Sequence, residues 1–310
     1  LEFRRVLFRS GNCVNRILNF GSLNIDHVYT VDHIVSPGET LDSLEMEVFP
    51  GGKGLNQSVA LARAGAEVYH AGKIGKDGAF LTRLLQSAGV DVSFVETING
   101  YTGKAIIQVE ADTGQNSIIL YGGANRQMTE LYIDQVLGAF SGNEILVLQN
   151  EINLVEYILR KAAKKGMQVA LNPSPMGEEL KQWDLHGITW LLLNEIEGEA
   201  LTGEKDPEKI SDSLLQRYPE MKIVLTLGKE GALYRDKDKN FRQGIYQTQA
   251  VDTTAAGDTF TGYFLAASAR GASPEEAMEE ASKASAITVS RPGAAVSIPT
   301  RQEVLSYPFQ

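Results

Sequence analysis

The sequence is short of the residues that several common chemistries require. It holds 1 cysteine, Cys13, so an internal disulfide is excluded and a reduced, cytoplasmic setting is expected. Its 4 histidines, His27, His33, His70 and His186, are scattered without ligand spacing, no Ser/His/Asp set stands out, and no G-x-G-x-x-G follows a strand. Zinc, serine-hydrolase and dinucleotide chemistries all lose ground. No apolar run approaches the roughly 20 residues that span a bilayer, so no membrane partner is expected. Positive charge is scarce as well: the formal net charge is −10, and the longest basic cluster in the body of the chain is Lys164-Lys165. That argues against a nucleic-acid partner, and any anion must be gripped locally.

What is present is an ordinary globular composition, 310 residues with 43% hydrophobic, long enough to bury a large core. The opening "LEFRRVLFRS" alternates arginine with bulky apolar groups and lacks both the apolar core and the cleavage site of a signal peptide. Residues 1–15 are expected to be a non-native or disordered tail, with a transit peptide as the alternative, and one domain is expected over 16–310.

From Ile17 short apolar runs alternate with helical patterns such as "NQSVALARAG" and "AFLTRLLQSAG", which Gly65 and Gly89 close as left-handed caps. "EILVLQ", "MQVALN", "TWLLLN" and "KIVLTLG" read as strands buried on both faces. The expected fold is α/β, a three-layer Rossmann-like sandwich with a mainly parallel central sheet. Residues from about 40–52 and 101–123 instead alternate apolar with polar, the second around the turn "ADTGQN", and predict a small antiparallel lid. "RDKDKNFRQ" predicts a solvated hairpin tip, and Ser273-Pro274-Glu275-Glu276 a capped helix start.

Four stretches have the residue types to bind or react. "GGKGLNQ" (51–57) allows close backbone approach and puts Asn56 at a helix head, but Gly54 after Lys53 rules out a Walker loop and a plain glycine-rich turn is the alternative. In "GSLNIDHV" an extended chain points Asn24 and Asp26 the same way, suited to neighbouring hydroxyls of a polyol, unless the stretch is an Asx turn. "TWLLLNEIEGEALTG" runs a strand into Asn194 and a helix with Glu195 and Glu197, which are either partners of the helix dipole or a magnesium and phosphate site. In "VDTTAAGDTFTGYF", Thr254 suits an N-cap and Asp258 a dipole interaction of about 0.3–1 kcal/mol. That leaves the small run Ala255-Ala256-Gly257 unexplained, whereas an anion held by converging backbone N–H groups, with Asp258 facing its reaction partner, explains it.

With "FPGGKGLNQSVALARAGAEV" early and "DTTAAGDTFTGYF" about 200 residues later, the chain resembles the ribokinase family of carbohydrate kinases. The likeness runs from Ile17 to about Val304 through "GSLNIDH", "PGET", "GQNSI", "GGAN", "LNPSP", "NEIE", "TLGKEG" and "RPGAAVSIP". It implies an ATP-dependent kinase with an alcohol acceptor, converting D-ribose at O5 to ribose 5-phosphate with release of ADP. The alternatives are another acceptor (fructose, 2-keto-3-deoxygluconate or a nucleoside) and, from a different class, a non-catalytic sugar-binding regulator. The resemblance makes Asp258 the catalytic base and Ala255, Ala256 and Gly257 the anion hole. It assigns the sugar to Asn24, Asp26, Gly52, Lys53, Asn56, Glu151 and Asp258, with Ala105 and Ile107 of the lid closing over it. ATP falls to Asn194, Thr226, Gly228, Gly231 and Gly257, the Mg2+ shell to Asn194 and Glu197. A monovalent cation, K+, falls to Asp252, Thr254, Thr288, Arg291, Gly293 and Ser297, mostly through backbone oxygens, and a homodimer forms through the lid. The chain departs from the family at Lys104, where an aliphatic residue is usual, at Asn150, where an apolar one is, and at Ala255, which replaces a glycine. Because a positive φ would cost alanine about 1–2 kcal/mol, an ordinary backbone angle is expected there.

Overall fold

The computed structural model describes residues 16–309, so the expected tail over 1–15, with Cys13, lies outside the described residues. The strands run β1 (Arg16–Phe20), β2 (Asn24–Val31), β3 (Glu45–Gly51), β4 (Glu67–Ile74), β5 (Asp91–Thr97), β6 (Gly103–Glu110), β7 (Asn116–Tyr121), β8 (Ile145–Leu148), β9 (Gln168–Leu171), β10 (Trp190–Asn194), β11 (Lys222–Thr226), β12 (Ala232–Arg235) and β13 (Asn240–Gln243). The helices are α1 (Lys53–Arg63), α2 (Ala79–Ser87), α3 (Glu130–Gly138), α4 (Val155–Lys165), α5 (Glu195–Thr202), α6 (Pro207–Arg217), α7 (Ala256–Ala269), α8 (Pro274–Val289) and α9 (Arg301–Ser306).

Nine strands form one sheet in the order β13-β12-β11-β10-β9-β8-β1-β4-β5. Every pair from β11 to β5 is parallel, and the β11–β12 and β12–β13 pairs at one edge are antiparallel, with the expected hairpin tip between β12 and β13. The central strands are apolar on both faces because each face is covered by helices. Ile17 and Val147 face a core completed by α1, α2, α7, α8 and α9, while Leu18, Phe20 and Leu148 face one completed by α3, α4 and α6. The three layers are as the sequence predicts. Among the described residues no helix is long and apolar enough to cross a membrane.

The lid differs from expectation. It has four strands in the order β3-β2-β6-β7, and β2 pairs with β6 in parallel, so the sheet is mixed rather than antiparallel. The cause is connectivity: α1, β4, α2 and β5 intervene between β2 and β6, and a chain that crosses the large sheet on the way re-enters the lid from the same end. The β6–β7 hairpin turns at "ADTGQN" as predicted.

Candidate active site

The site lies at the carboxyl ends of the parallel strands beside β1, where the chain passes first to β4 on one side and later to β8 on the other. Open α/β sheets gather ligands at such a reversal of strand order. Glu151 follows β8, Asn172 follows β9, Asn194 ends β10 and Thr226 ends β11. Helices α1 and α7 supply the rest, and they touch because Gly262 has no side chain: a Cβ there would lie 2.4 Å from the Ala60 Cβ. Asp258 stands one turn before Gly262 and Asn56 one turn before Ala60, so the same contact sets Asp258 against the head of α1. Asn56 Nδ2 donates to Asp258 Oδ2 at 3.0 Å and Gln57 Nε2 to Asp258 Oδ1 at 3.0 Å. The carboxylate, 7% exposed, is therefore held through both oxygens.

Ala255 departs from expectation. It is the N-cap of α7 with φ 63° and ψ 8°, in the left-handed region, and Thr254 makes no side-chain cap. The turn is held on both sides, by Thr259 N–H donating to Ala255 O at 2.8 Å and by Thr254 N–H donating to Asp252 Oδ1 at 2.8 Å. Strain of about 1–2 kcal/mol persists where the surroundings over-determine the backbone. Of the first-turn amides, Ala256 N–H donates to Thr253 O at 3.2 Å, while those of Gly257 and Asp258 have no acceptor among the described residues.

On one side of Asp258 lie the residues expected to hold a sugar. Lys53 N–H donates to Glu151 Oε1 at 3.0 Å, and Gly52, with φ 96°, turns β3 into α1. Asn125 takes Leu23 N–H on Oδ1 at 3.0 Å and donates from Nδ2 to Asn24 Oδ1 at 2.7 Å, so Asn24 keeps its amide N–H groups as donors. Asp26 and Ala105 are cross-strand partners, as are Val28 and Ile107, which puts Asn24, Asp26, Ala105 and Ile107 on one face of the lid. Burial, and then the Glu151 charge, push the Asp26 carboxyl up to about 6. Burial also raises Glu151, against the Lys53 N–H and charge. Asp258 leads in holding the Lys53 ammonium above the ordinary lysine range, against its burial. Asn56 Oδ1 is buried and has no hydrogen-bond partner among the described residues.

On the other side Lys53, Asn172, Asn194, Glu197, Thr226 and Asp258 line one cleft. Asn194 and Glu197 form a reciprocal capping box at 2.9 and 3.0 Å. Glu197 Oε1 has no partner among the described residues. No group of three or more His, Cys, Asp or Glu side chains placed for a metal occurs among them. A lone carboxylate fits magnesium, which keeps several waters and takes phosphate oxygens, better than an ion needing a full protein cage. Gly228 and Gly231 lie beyond this cleft, and Gly231, φ 92°, is explained by packing: a Cβ would meet Gln243 O at 2.0 Å.

Behind the Ala255–Gly257 turn, Asp252 Oδ2 accepts Gly293 N–H at 3.0 Å, drawing the 288–297 segment against the start of α7. Burial would raise the Asp252 carboxyl, but the hydrogen bonds from Thr254 and Gly293 outweigh it and lower it. Thr288 Oγ1 bonds Thr259, Ser297 Oγ bonds Ala294 O at 2.6 Å and Arg291 pairs with Glu303 at 2.8 Å, so backbone oxygens are what this loop has left for a cation.

Two of the three family departures, Asn150 and Lys104, turn away from the residues expected to hold a sugar. Asn150 Nδ2 donates to Pro175 O and Glu179, and Lys104 pairs with Asp77 at 3.3 Å and lies over the Tyr101 ring. Four polar residues of the site carry no role in the sequence reading: Ser22, whose Oγ accepts Gly54 N–H at 3.1 Å, and Asn125, Gln57 and Asn172. The signal for Gln57 is its place in a helix start whose neighbours Leu55 and Val59 are core residues.

Residues 14–301 match the pfkB family carbohydrate kinases. The chain is 38% identical over 300 residues to the ribokinase of Haemophilus influenzae, covering 93% of this chain and 96% of that one. Its structure superposes on ribokinase from Cryptococcus neoformans in complex with ADP with a TM-score of 0.83, at 34% identity over 94% of this chain and 99% of that one. Against Arabidopsis thaliana ribokinase complexed with ribose and ATP the TM-score is also 0.83, at 31% identity over 94% and 97%. The match spans both halves of the site, from the head of α1 to the start of α7, and the chain belongs to the pfkB family of carbohydrate kinases.

Proposed function

We propose that the protein is an ATP-dependent ribose kinase, moving the γ-phosphoryl group of ATP to O5 of D-ribose. The observation that carries this reading is the position of Asp258, clamped by Asn56 and Gln57 between the Asn24, Asp26 and Glu151 side and the Asn194, Glu197 and Thr226 cleft. A base there reaches an acceptor hydroxyl on one side and phosphates on the other. The relatives named for ribokinase, and the relative holding ribose and ATP, support ribose as acceptor.

Phosphoryl transfer asks little covalent chemistry of a protein, so rate comes from in-line positioning and charge stabilisation. Asp258 takes the proton from O5 as the phosphorus–oxygen bond forms and the bond to the ADP oxygen breaks. The Ala255–Gly257 turn cradles the transferred group, with Gly257 N–H as its free donor and the helix dipole assisting. Asn24 and Asp26 orient the sugar, Lys53 adds positive charge, and Ala105 and Ile107 cover it to exclude water. Thr226 and the Gly228–Gly231 loop take the nucleotide. Glu197 and Asn194 would hold the water shell of magnesium, which neutralises phosphate charge when bound. Backbone oxygens around Asp252, Thr254, Thr288, Arg291, Gly293 and Ser297 would hold potassium, and full activity with a large organic cation in its place would refute that site.

Asp258→Asn tests the base. Sugar and ADP binding by calorimetry stay near wild type while kcat falls by about 10²-fold or more. Wild-type turnover in that variant would overturn the assignment and favour a different base.

A further inference from the structure

A chain of buried side chains runs from the middle of the sheet to Asp258, and its direction is fixed. At the far end, His70 is fully buried, and burial pushes its pKa down to about 4, so it is neutral. His70 Nε2 faces Gly21 O at 3.2 Å, and a carbonyl only accepts, so Nε2 carries the proton and Nδ1 must accept from Ser58 Oγ at 2.7 Å. Ser58 Oγ then accepts from Asn19 Nδ2 at 2.8 Å, which leaves Asn19 Oδ1 to accept from Gln149 Nε2 at 2.9 Å. The same Gln149 nitrogen donates to Gln57 Oε1 at 2.7 Å. Gln57 is left with its two N–H groups, one for Asp258 Oδ1 at 3.0 Å and one for Asn172 Oδ1 at 3.1 Å. Asn172 cannot turn its amide round, because its own Nδ2 donates to Leu192 O at 2.9 Å.

We infer that Gln57 is a positioning residue for phosphoryl transfer, its amide oriented by Gln149 at Oε1 and by Asn172 at Nε2 so that an N–H faces Asp258. A flipped amide would set the Gln57 oxygen against the carboxylate, and no rotation of Gln149 could relieve it, because Asn19 and Gln57 claim both its N–H groups. Two backbone features leave the network no slack. A Cβ at Gly21 would lie 2.5 Å from Gln149 Oε1, and one at Gly54 would lie 2.3 Å from Ser22 N. The role differs from that of Asn56, whose Oδ1 is buried without a partner among the described residues, whereas every polar atom of Gln57 is spent inside the protein.

The inference rests on Asp258 being the base, so the experiment includes Asp258→Asn as a separate arm. Steady-state kinetics with ribose and ATP are compared for wild type, Gln57→Met, which keeps length and loses the donors, and Gln149→Met, which leaves Gln57 in place and removes the donor to its Oε1. Folding is checked by Tm. Gln57→Met loses at least tenfold in kcat, about 1.4 kcal/mol, with ribose KM within about twofold. Gln149→Met, whose Gln57 loses the donor to its Oε1 while Asn172 still orients the amide, loses less, about threefold, with the same unchanged KM. A merely structural role would move Tm and KM together and leave this split unseen. Wild-type kcat in either folded variant, with Asp258→Asn inactive, overturns the positioning role and leaves the base intact; turnover by Asp258→Asn overturns both.

Discussion

Gly51 and Asp26 meet at the root of the lid, where a methyl group on Gly51 would sit 2.0 Å from Asp26 Oδ2 and 2.3 Å from its Cγ. The carboxylate occupies the place of the missing side chain. Gly51→Ala therefore displaces Asp26 without touching Asp258 or the cleft beyond it. Ribose KM rises at least tenfold while kcat at saturating ribose stays within about threefold, the pattern of lost uniform binding. An unchanged KM would show that Asp26 does not hold the sugar.

Asp26 also carries a stability cost. Its pKa is raised from 3.8 to about 6, by burial first and by Glu151 second. The folded state binds this proton more tightly than the unfolded chain, so the group favours folding at acid pH. That contribution is lost as pH rises through about 6, leaving the ionised protein roughly 1–3 kcal/mol less stable than one without the charge. Asp26→Asn, ligand-free, melts higher than wild type at pH 7.5, and the gap closes toward pH 4. It binds ribose poorly under both conditions. A variant that melts lower than wild type at pH 7.5 would contradict the cost.

The large sheet was legible because β8, β10 and β11 are apolar runs closed by polar residues, and burial on both faces leaves strands no other pattern. The mixed lid was not, since β2 itself carries Asn24 and Asp26 and only the path of the intervening chain decides that it meets β6 in parallel. Residues of the site that follow a glycine-rich or acidic motif could be assigned from their spacing and a family likeness. Gln57, Asn125 and Asn172 could not, because their function is a contact with residues about 100 to 200 positions away. The Ala255 angle escaped for a related reason: local cost forbids it, and the loop tied by Asp252 overrides that cost.

Ala255 gives a direct measure of that override. Glycine relieves about 1–2 kcal/mol of left-handed strain and adds about 0.4–1 kcal/mol of unfolded-state entropy, so Ala255→Gly is neutral to about 1.6 kcal/mol more stable. Denaturant unfolding reads the difference, and kcat stays within twofold because the N–H groups keep their places. Ala255→Val, with a branched side chain at φ 63°, loses stability by at least as much as the strain already stored. A glycine variant more than 1 kcal/mol less stable than wild type would mean that the Ala255 methyl group packs productively.

The lid face turned away from the sugar supports a second copy of the chain as partner. Cross-strand register puts Val48, His27, Ile106 and Ile119 in one row, with Met46 and Tyr121 on the same face. Met46, Val48, Ile106, Ile119 and Tyr121 are 52, 46, 40, 61 and 52% exposed, a contiguous apolar patch on a small sheet whose edge strands β3 and β7 are themselves open. Packing two such faces together would cover the patch and stiffen the strands that carry Asp26 and Ala105. Sedimentation velocity at micromolar concentration gives a dimer for wild type and a monomer for Ile119→Lys, which places a charge at the centre of the row. The monomer has a higher ribose KM, since its lid closes without support, and an unchanged Tm for the large domain. A wild-type protein that sediments as a monomer throughout that range would remove the second copy as the partner of this face.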